Sequence, residues 1–121
     1  MVRTPIALVG AGVIARTHID RLAHSDGAVL AAIADPAPGA RAVAEAAGVP
    51  CFADHREMLA RVRPAGVIVA TPNALHVPVA LDCLARGIPV LVEKPVADTV
   101  EDARRLVEAQ AASGVPVLVG H

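Results

Sequence analysis

Six residues near the start of the chain, Gly10-Ala11-Gly12-Val13-Ile14-Ala15, carry the first chemistry it could do. They follow an apolar run and open a stretch with helical spacing. Glycine at the first position permits a sharp turn, and glycine at the third lets a bulky anion approach the backbone. A small residue at the sixth lets a helix pack closely on a strand. The N–H groups of a helix starting there face the anion and carry roughly half a positive charge. Alone the pattern is weak, because glycine-rich turns also serve packing. Asp35 strengthens it: it closes another apolar run about 20 residues beyond Ala15, where a carboxylate that accepts from a ribose diol belongs. Together they imply a dinucleotide site, with the diphosphate on Gly10, Gly12, Val13 and Ile14 and the adenosine ribose on Asp35. The plainer alternative for Asp35 is an exposed helix-capping aspartate.

The same carboxylate discriminates between cofactors. A 2′-phosphate set against Asp35 meets a like charge, a repulsion of about 4 kcal/mol at ~4 Å and an effective dielectric of ~20 before screening. Pro36 and Ala37 follow, so no adjacent arginine offsets it; Arg41 lies further on. The expectation is NAD in preference to NADP.

Two more stretches close apolar runs, at the carboxyl ends of strands where ligands bind in open α/β sheets. They are Thr71-Pro72-Asn73 with His76, and Glu93-Lys94-Pro95. Plain readings stand beside the functional ones. Asn73 could be a helix N-cap, His76 a first-turn surface residue, and Lys94 a surface lysine in an ordinary strand-to-helix turn. Lys94 is the single lysine of the sequence.

The elements that must position these residues alternate regularly. Short runs that are apolar throughout, rather than alternating, read as strands buried on both faces of a parallel sheet. They are Ile6–Val9, Val29–Ala34, Val67–Ala70, Val90–Val92 and Val115–Val119, with Val49–Phe52 as a short extra strand. Helical spacing covers Ile14–Ala23, Ala40–Ala47, Arg56–Val62, Val77–Ala85 and Val100–Ala112. Gly48, Gly87 and Gly114 fall where left-handed C-terminal caps belong, and Thr99 with Asp102 approximates a capping box. The fold class expected is therefore α/β: a doubly wound parallel sheet of about six strands in three layers, a Rossmann fold.

Composition narrows the functions. The 121 residues have room for one domain, 1–121, that buries roughly two-thirds of its unfolded surface. Hydrophobic residues are 55% but aromatics 1%, so the core must be built from Ala, Val, Leu and Ile. A formal net charge of -1 gives no footprint for nucleic acid or an anionic membrane. No apolar run approaches the ~20 residues that cross a bilayer, and Met1–Pro5 lacks signal-peptide character. Cys51 and Cys83 have no metal-ligand spacing and read as reduced, buried thiols; no metal site is expected. A cytoplasmic location follows by default. His24 and His55 read as exposed loop and helix-start residues.

Gly10-x-Gly12-x-x-Ala15, Asp35, Thr71-Pro72-Asn73 with His76, and Glu93-Lys94-Pro95 together resemble the glucose-fructose oxidoreductase/inositol dehydrogenase/MocA family. The resemblance covers the whole chain. It implies a dehydrogenase that moves hydride between NAD and a sugar, polyol or related hydroxy compound. In that case Thr71, Pro72 and Asn73 run beside the cofactor, and His76 and Glu93 lie near the nicotinamide ribose. Lys94 would then point into the cleft as catalytic ammonium, its pKa lowered by burial, aimed by a cis peptide before Pro95. His18 matches a frequent family position with a structural or supporting role. The family also implies a second domain for substrate, oligomer contacts and a proton-transfer pair, absent after His121. The chain thus reads as the cofactor half of a homo-oligomeric enzyme acting on a small molecule, with little turnover alone. The alternative is a non-catalytic NAD-binding sensor or scaffold, which has no need of Lys94. A domain for S-adenosylmethionine is disfavoured by Glu93-Lys94-Pro95.

Overall fold

The computed structural model describes residues 3–120. Met1, Val2 and His121 lie outside them, and with them the start of the Met1–Pro5 stretch. The elements are β1 (Thr4–Val9), α1 (Val13–Ala23), β2 (Ala28–Ala34), α2 (Ala40–Ala47), β3 (Cys51–Phe52) and α3 (His55–Val62). Then come β4 (Gly66–Val69), a 3-10 turn (Asn73–Leu75), α4 (His76–Ala85), β5 (Val90–Glu93), α5 (Val100–Ser113) and β6 (Val117–Gly120). The six strands form one sheet in the order β3-β2-β1-β4-β5-β6, and every pairing is parallel. The strand order reverses between β1 and β4, which leaves a crevice outside their carboxyl ends, the place where such sheets bind ligands.

Both faces of the sheet are covered, as its uniformly apolar strands require. Leu8, Ile33 and Ile68 pack with Ala15 of α1 and Ala44 of α2 on one face. On the other, Ala7, Val9, Val67, Val69, Val90 and Val92 meet Met58, Leu59, Val77, Ala80 and Leu106 of α3, α4 and α5. The alanines matter here: their small side chains let helices sit close to the sheet without aromatic filling. Phe52, the sole aromatic residue, is only half-buried. Each fully buried Leu, Ile, Val or Met contributes roughly 1.5–3 kcal/mol through area removed from water.

Local chemistry sets the boundaries. The Asp54 side chain accepts from the Arg56 N–H and starts α3, and Thr99 accepts from the Asp102 N–H at 3.1 Å to start α5. Gly48 and Gly114 end α2 and α5 in the left-handed conformation. Asn73 does not cap α4; it opens the 3-10 turn, and Leu75 precedes the helix with no side-chain cap. The reason is Pro72, whose extended backbone delivers the chain into a tight turn one residue before a helix can begin. His55 also departs from its exposed reading. It is half-buried, and its Nε2 meets Asp82 Oδ2 at 2.7 Å, with Arg56 Nε donating to the same oxygen at 3.1 Å. This three-residue cluster ties α3 to α4. Burial alone would push Asp82 up, but the hydrogen bonds from His55 and Arg56 hold it below the usual carboxylate value.

A groove of about 900 Å³ runs between α1 and α2, lined by Ile19, Leu22, Leu30 and Val43 among others. It includes none of the loops at the carboxyl ends of β1, β4 and β5 and is separate from the residues discussed next. No helix among the described residues is long and apolar enough to cross a membrane.

Candidate functional site

The glycine-rich turn lies between β1 and α1, and its two glycines answer to different demands. Gly10 has φ +109, and a Cβ there would sit 2.4 Å from the Ala70 carbonyl oxygen at the end of β4. That glycine is fixed by the fold itself. Gly12 has an ordinary extended backbone, φ -81 and ψ -161, and a Cβ there would meet nothing within 4 Å. Nothing in the protein requires it to be glycine, so the open space above it is free for a ligand. Ala15 is fully buried against the sheet, where a small residue was expected.

The first turn of α1 has N–H groups without intrahelical acceptors, and Gly12 offers no side-chain cap. Val13 and Ile14, in that turn, are 82% and 55% exposed. Large aliphatic side chains at such exposure, beside uncapped N–H groups, make a surface that is apolar at its rim and a donor at its centre.

Asp35 closes β2 and is half-buried. Its Oδ2 accepts from the Ala11 N–H and its Oδ1 from the Ala37 N–H, both at 2.8 Å. The carboxylate thus stitches the glycine-rich turn to the end of β2, and two oxygens with about four acceptor sites keep capacity for a diol. The helix-capping reading of Asp35 does not hold: Gly39 precedes α2 with no side-chain cap, and Asp35 is half-buried and bonds to Ala11 and Ala37 outside any helix.

Across the crevice, Thr71 follows β4 with its backbone 3.1 Å from the Cβ position of Gly10. Its hydroxyl oxygen is the buried side-chain atom that has no hydrogen-bond partner among the described residues. An orphan of this kind normally finds water or ligand. Pro72 and Asn73 lie beside it and are exposed.

His76 overturns its surface reading: it is 1% exposed. Its Nε2 faces the Thr71 carbonyl oxygen at 2.7 Å and its Nδ1 the Pro95 carbonyl oxygen at 2.8 Å. Glu93, at the end of β5, is likewise occupied: its carboxylate pairs with Nε2 of His18 from α1. A Cβ on Gly120, its β6 neighbour, would lie 3.2 Å from Glu93 Oε1, so glycine there leaves room for the carboxylate. Lys94 is exposed. The burial expected of it is absent, because the element ends at Glu93 and the lysine stands on the turn beyond the sheet. The Lys94–Pro95 peptide is cis.

The topology brings Gly10, Gly12, Val13, Ile14, Asp35, Thr71, Pro72, Asn73, Glu93 and Lys94 to one edge, the carboxyl ends of β1, β2, β4 and β5. What the sequence alone missed is the pairing of His18 with Glu93 and the space left by Gly120. Residues 75 positions apart give no local signal of contact. Among the described residues no group of three His, Cys, Asp or Glu side chains could hold a metal ion.

A dinucleotide fits this edge on three independent grounds. A backbone approach is left open at Gly12, a buried hydroxyl lacks a partner at Thr71, and a carboxylate with spare acceptors sits one crossover away at Asp35. Fold and site together define a doubly wound nucleotide-binding domain. The sequence profile described as "Oxidoreductase family, NAD-binding Rossmann fold", the Gfo/Idh/MocA family, matches residues 4–121, and the chain belongs to that family. It is an NAD-binding oxidoreductase domain.

Among its relatives, the rhizopine catabolism protein MocA of Rhizobium meliloti is 33% identical over 121 residues, all of this chain and 38% of that protein. The inositol 2-dehydrogenase of Rubrobacter xylanophilus is 37% identical over 114 residues, 93% of this chain and 33% of that enzyme. Among solved structures, the WlbA dehydrogenase of Bordetella pertussis, in complex with NADH and UDP-GlcNAcA, superposes with a TM-score of 0.92 at 37% identity. That likeness covers 98% of this chain and 37% of the WlbA chain. The chain therefore spans about a third of the length of the proteins it matches.

Proposed function

We propose that this domain serves a dehydrogenase that interconverts a secondary hydroxyl and a carbonyl on a polyol, sugar or related compound, with Lys94 at the reacting centre. One observation carries the reading: the exposed ammonium of Lys94 stands at the same sheet edge as the open Gly12 and the unpartnered Thr71 hydroxyl. The relatives, an inositol 2-dehydrogenase by name and the WlbA dehydrogenase in complex with UDP-GlcNAcA, support the substrate class.

In this reading Gly10, Gly12, Val13 and Ile14 hold the diphosphate, and Asp35 holds the adenosine ribose and excludes a 2′-phosphate. Thr71, Pro72 and Asn73 flank the nicotinamide half. His76 and Glu93 act on that half through the backbone and through His18. Nicotinamide supplies the carbon that gives or takes a hydride. Lys94 donates a hydrogen bond to the substrate oxygen and stabilises negative charge as it develops there. A fixed ammonium that near a reacting oxygen also takes part in its proton balance. The remaining groups, including a proton-transfer pair, substrate contacts and subunit contacts of a homo-oligomer, we assign to a second domain of the whole enzyme. We place that enzyme in the cytoplasm, where the free thiols Cys51 and Cys83 stay reduced.

Titration with NADH and NADPH tests the cofactor half of the reading, and Lys94→Met in the whole enzyme tests the chemical half. NADH binding at least about tenfold tighter than NADPH is expected, a difference of ~1.4 kcal/mol. Lys94→Met should lower kcat by at least about a hundredfold with myo-inositol or another accepted polyol. Unchanged turnover in that variant removes Lys94 from the reacting centre.

A further inference from the structure

His18 and His76 are the buried polar side chains of the described residues, 7% and 1% exposed. They come from opposite faces of the sheet: α1 packs with the layer of Leu8 and Ile33, and α4 with the layer of Val67 and Val90. Yet both reach the same corner. His18 holds the carboxylate of Glu93, the residue before Lys94, and His76 faces the carbonyl of Pro95, the residue after it. A buried imidazole costs desolvation that an apolar side chain would not incur, so two of them converging on one tripeptide calls for a reason.

We propose that the two histidines form a bracket that positions Lys94, holding the residues before and after it so that its flexible side chain starts from a defined place. The proposal rests on the reading of Lys94 as the group beside the nicotinamide. His76 extends the bracket to the cofactor loop, because its other nitrogen faces the Thr71 carbonyl, next to the orphaned Thr71 hydroxyl. Gly120 completes the fit on the Glu93 side, since a methyl there would press on the carboxylate. His18 and His76 are positioning residues: neither is free to touch substrate.

Lys94 is the only lysine in the sequence, which makes the test direct. Reductive methylation with 13C-formaldehyde gives one dimethyl-lysine signal, distinct from that of the amino terminus. In the unaltered chain, saturating NADH should move that signal. His76→Phe and His18→Phe keep ring packing and remove the donors. In each, at NADH concentrations that saturate that variant, the NADH-induced shift of the Lys94 signal should fall by half or more, and the glutamine variants, which restore a donor, should recover part of it. Phenylalanine variants with an undiminished shift at saturating NADH overturn the bracket and leave the reading of Lys94 standing. A signal that NADH does not move in the unaltered chain overturns both. Should a phenylalanine variant lose its cooperative thermal transition, Gly120→Ala decides, because it displaces Glu93 with both histidines in place. A halved shift in that variant supports the bracket, and a full one overturns it.

Discussion

Gly10 and Gly12 look equivalent in the sequence and are opposites in the structure, which makes them a controlled comparison. At Gly10 an added methyl meets a backbone carbonyl at 2.4 Å and the backbone is left-handed, so Gly10→Ala should destabilise the domain by about 2 kcal/mol or more. At Gly12 the methyl meets only open space, so Gly12→Ala should change stability by about 1 kcal/mol at most. Its NADH affinity should nevertheless fall at least about tenfold, because the space it fills is the ligand's. Denaturant titration and NADH titration of the two variants check this. A Gly12→Ala protein that binds NADH normally removes the diphosphate from that turn. Lys94 illustrates the converse limit: its type and neighbours were legible, but its exposure depended on where β5 ends.

Helices α3 and α4 are joined by His55, Arg56 and Asp82, and this junction gives the domain an acid-sensitive element. The folded-state pKa of Asp82 lies below its ordinary 3.8. The stabilisation is therefore fully present above that pH and is lost as pH falls through the depressed value. Asp82→Asn should lower stability at neutral pH by less than about 1 kcal/mol, since the cluster is partly exposed and screened. Its difference from the unaltered protein should shrink as pH falls through the depressed value, below the ordinary 3.8, in acid unfolding followed by circular dichroism. At the other end of α3, Arg63 adopts φ +50, a left-handed cap without glycine. Arg63→Gly should raise stability by about 0.5–1 kcal/mol, and Arg63→Val should lower it, both readable as shifts in denaturant midpoint.

For the whole molecule, Cys83 reports on opening. It is buried behind the sheet on α4, and burial pushes its thiol up to about 12, so in the closed state almost no thiolate is present at neutral pH. Cys51 is half-buried on the β3 edge. Alkylation at pH 8 should modify Cys51 well before Cys83, and Cys83 only through unfolding. NADH at a hundred times its Kd should then slow Cys83 labelling about a hundredfold, the linkage expected for a ligand bound only by the folded state. Mass spectrometry of the labelled peptides distinguishes the sites. Equal rates at both cysteines would mean that the domain opens locally around α4.

Much of this protein was written in short-range pattern. Uniformly apolar runs such as Val67–Ala70 marked strands buried on two faces, and glycines after helices marked their ends, because backbone sterics and burial act over a few residues. Gly10, Gly12 and Asp35 were readable for the same reason: each motif lies within one strand, turn and helix start. What tertiary structure alone decided is which residues meet across the sheet. Sequence could not tell the fold-bound Gly10 from Gly12, which faces open space, since the deciding atom belongs to Ala70. Nor could it tell that His76 is buried between two carbonyls, that His55 pairs with Asp82, or that His18 holds Glu93. Those contacts depend on the order β3-β2-β1-β4-β5-β6, which places distant stretches side by side at one edge, and long-range packing leaves no trace in local spacing.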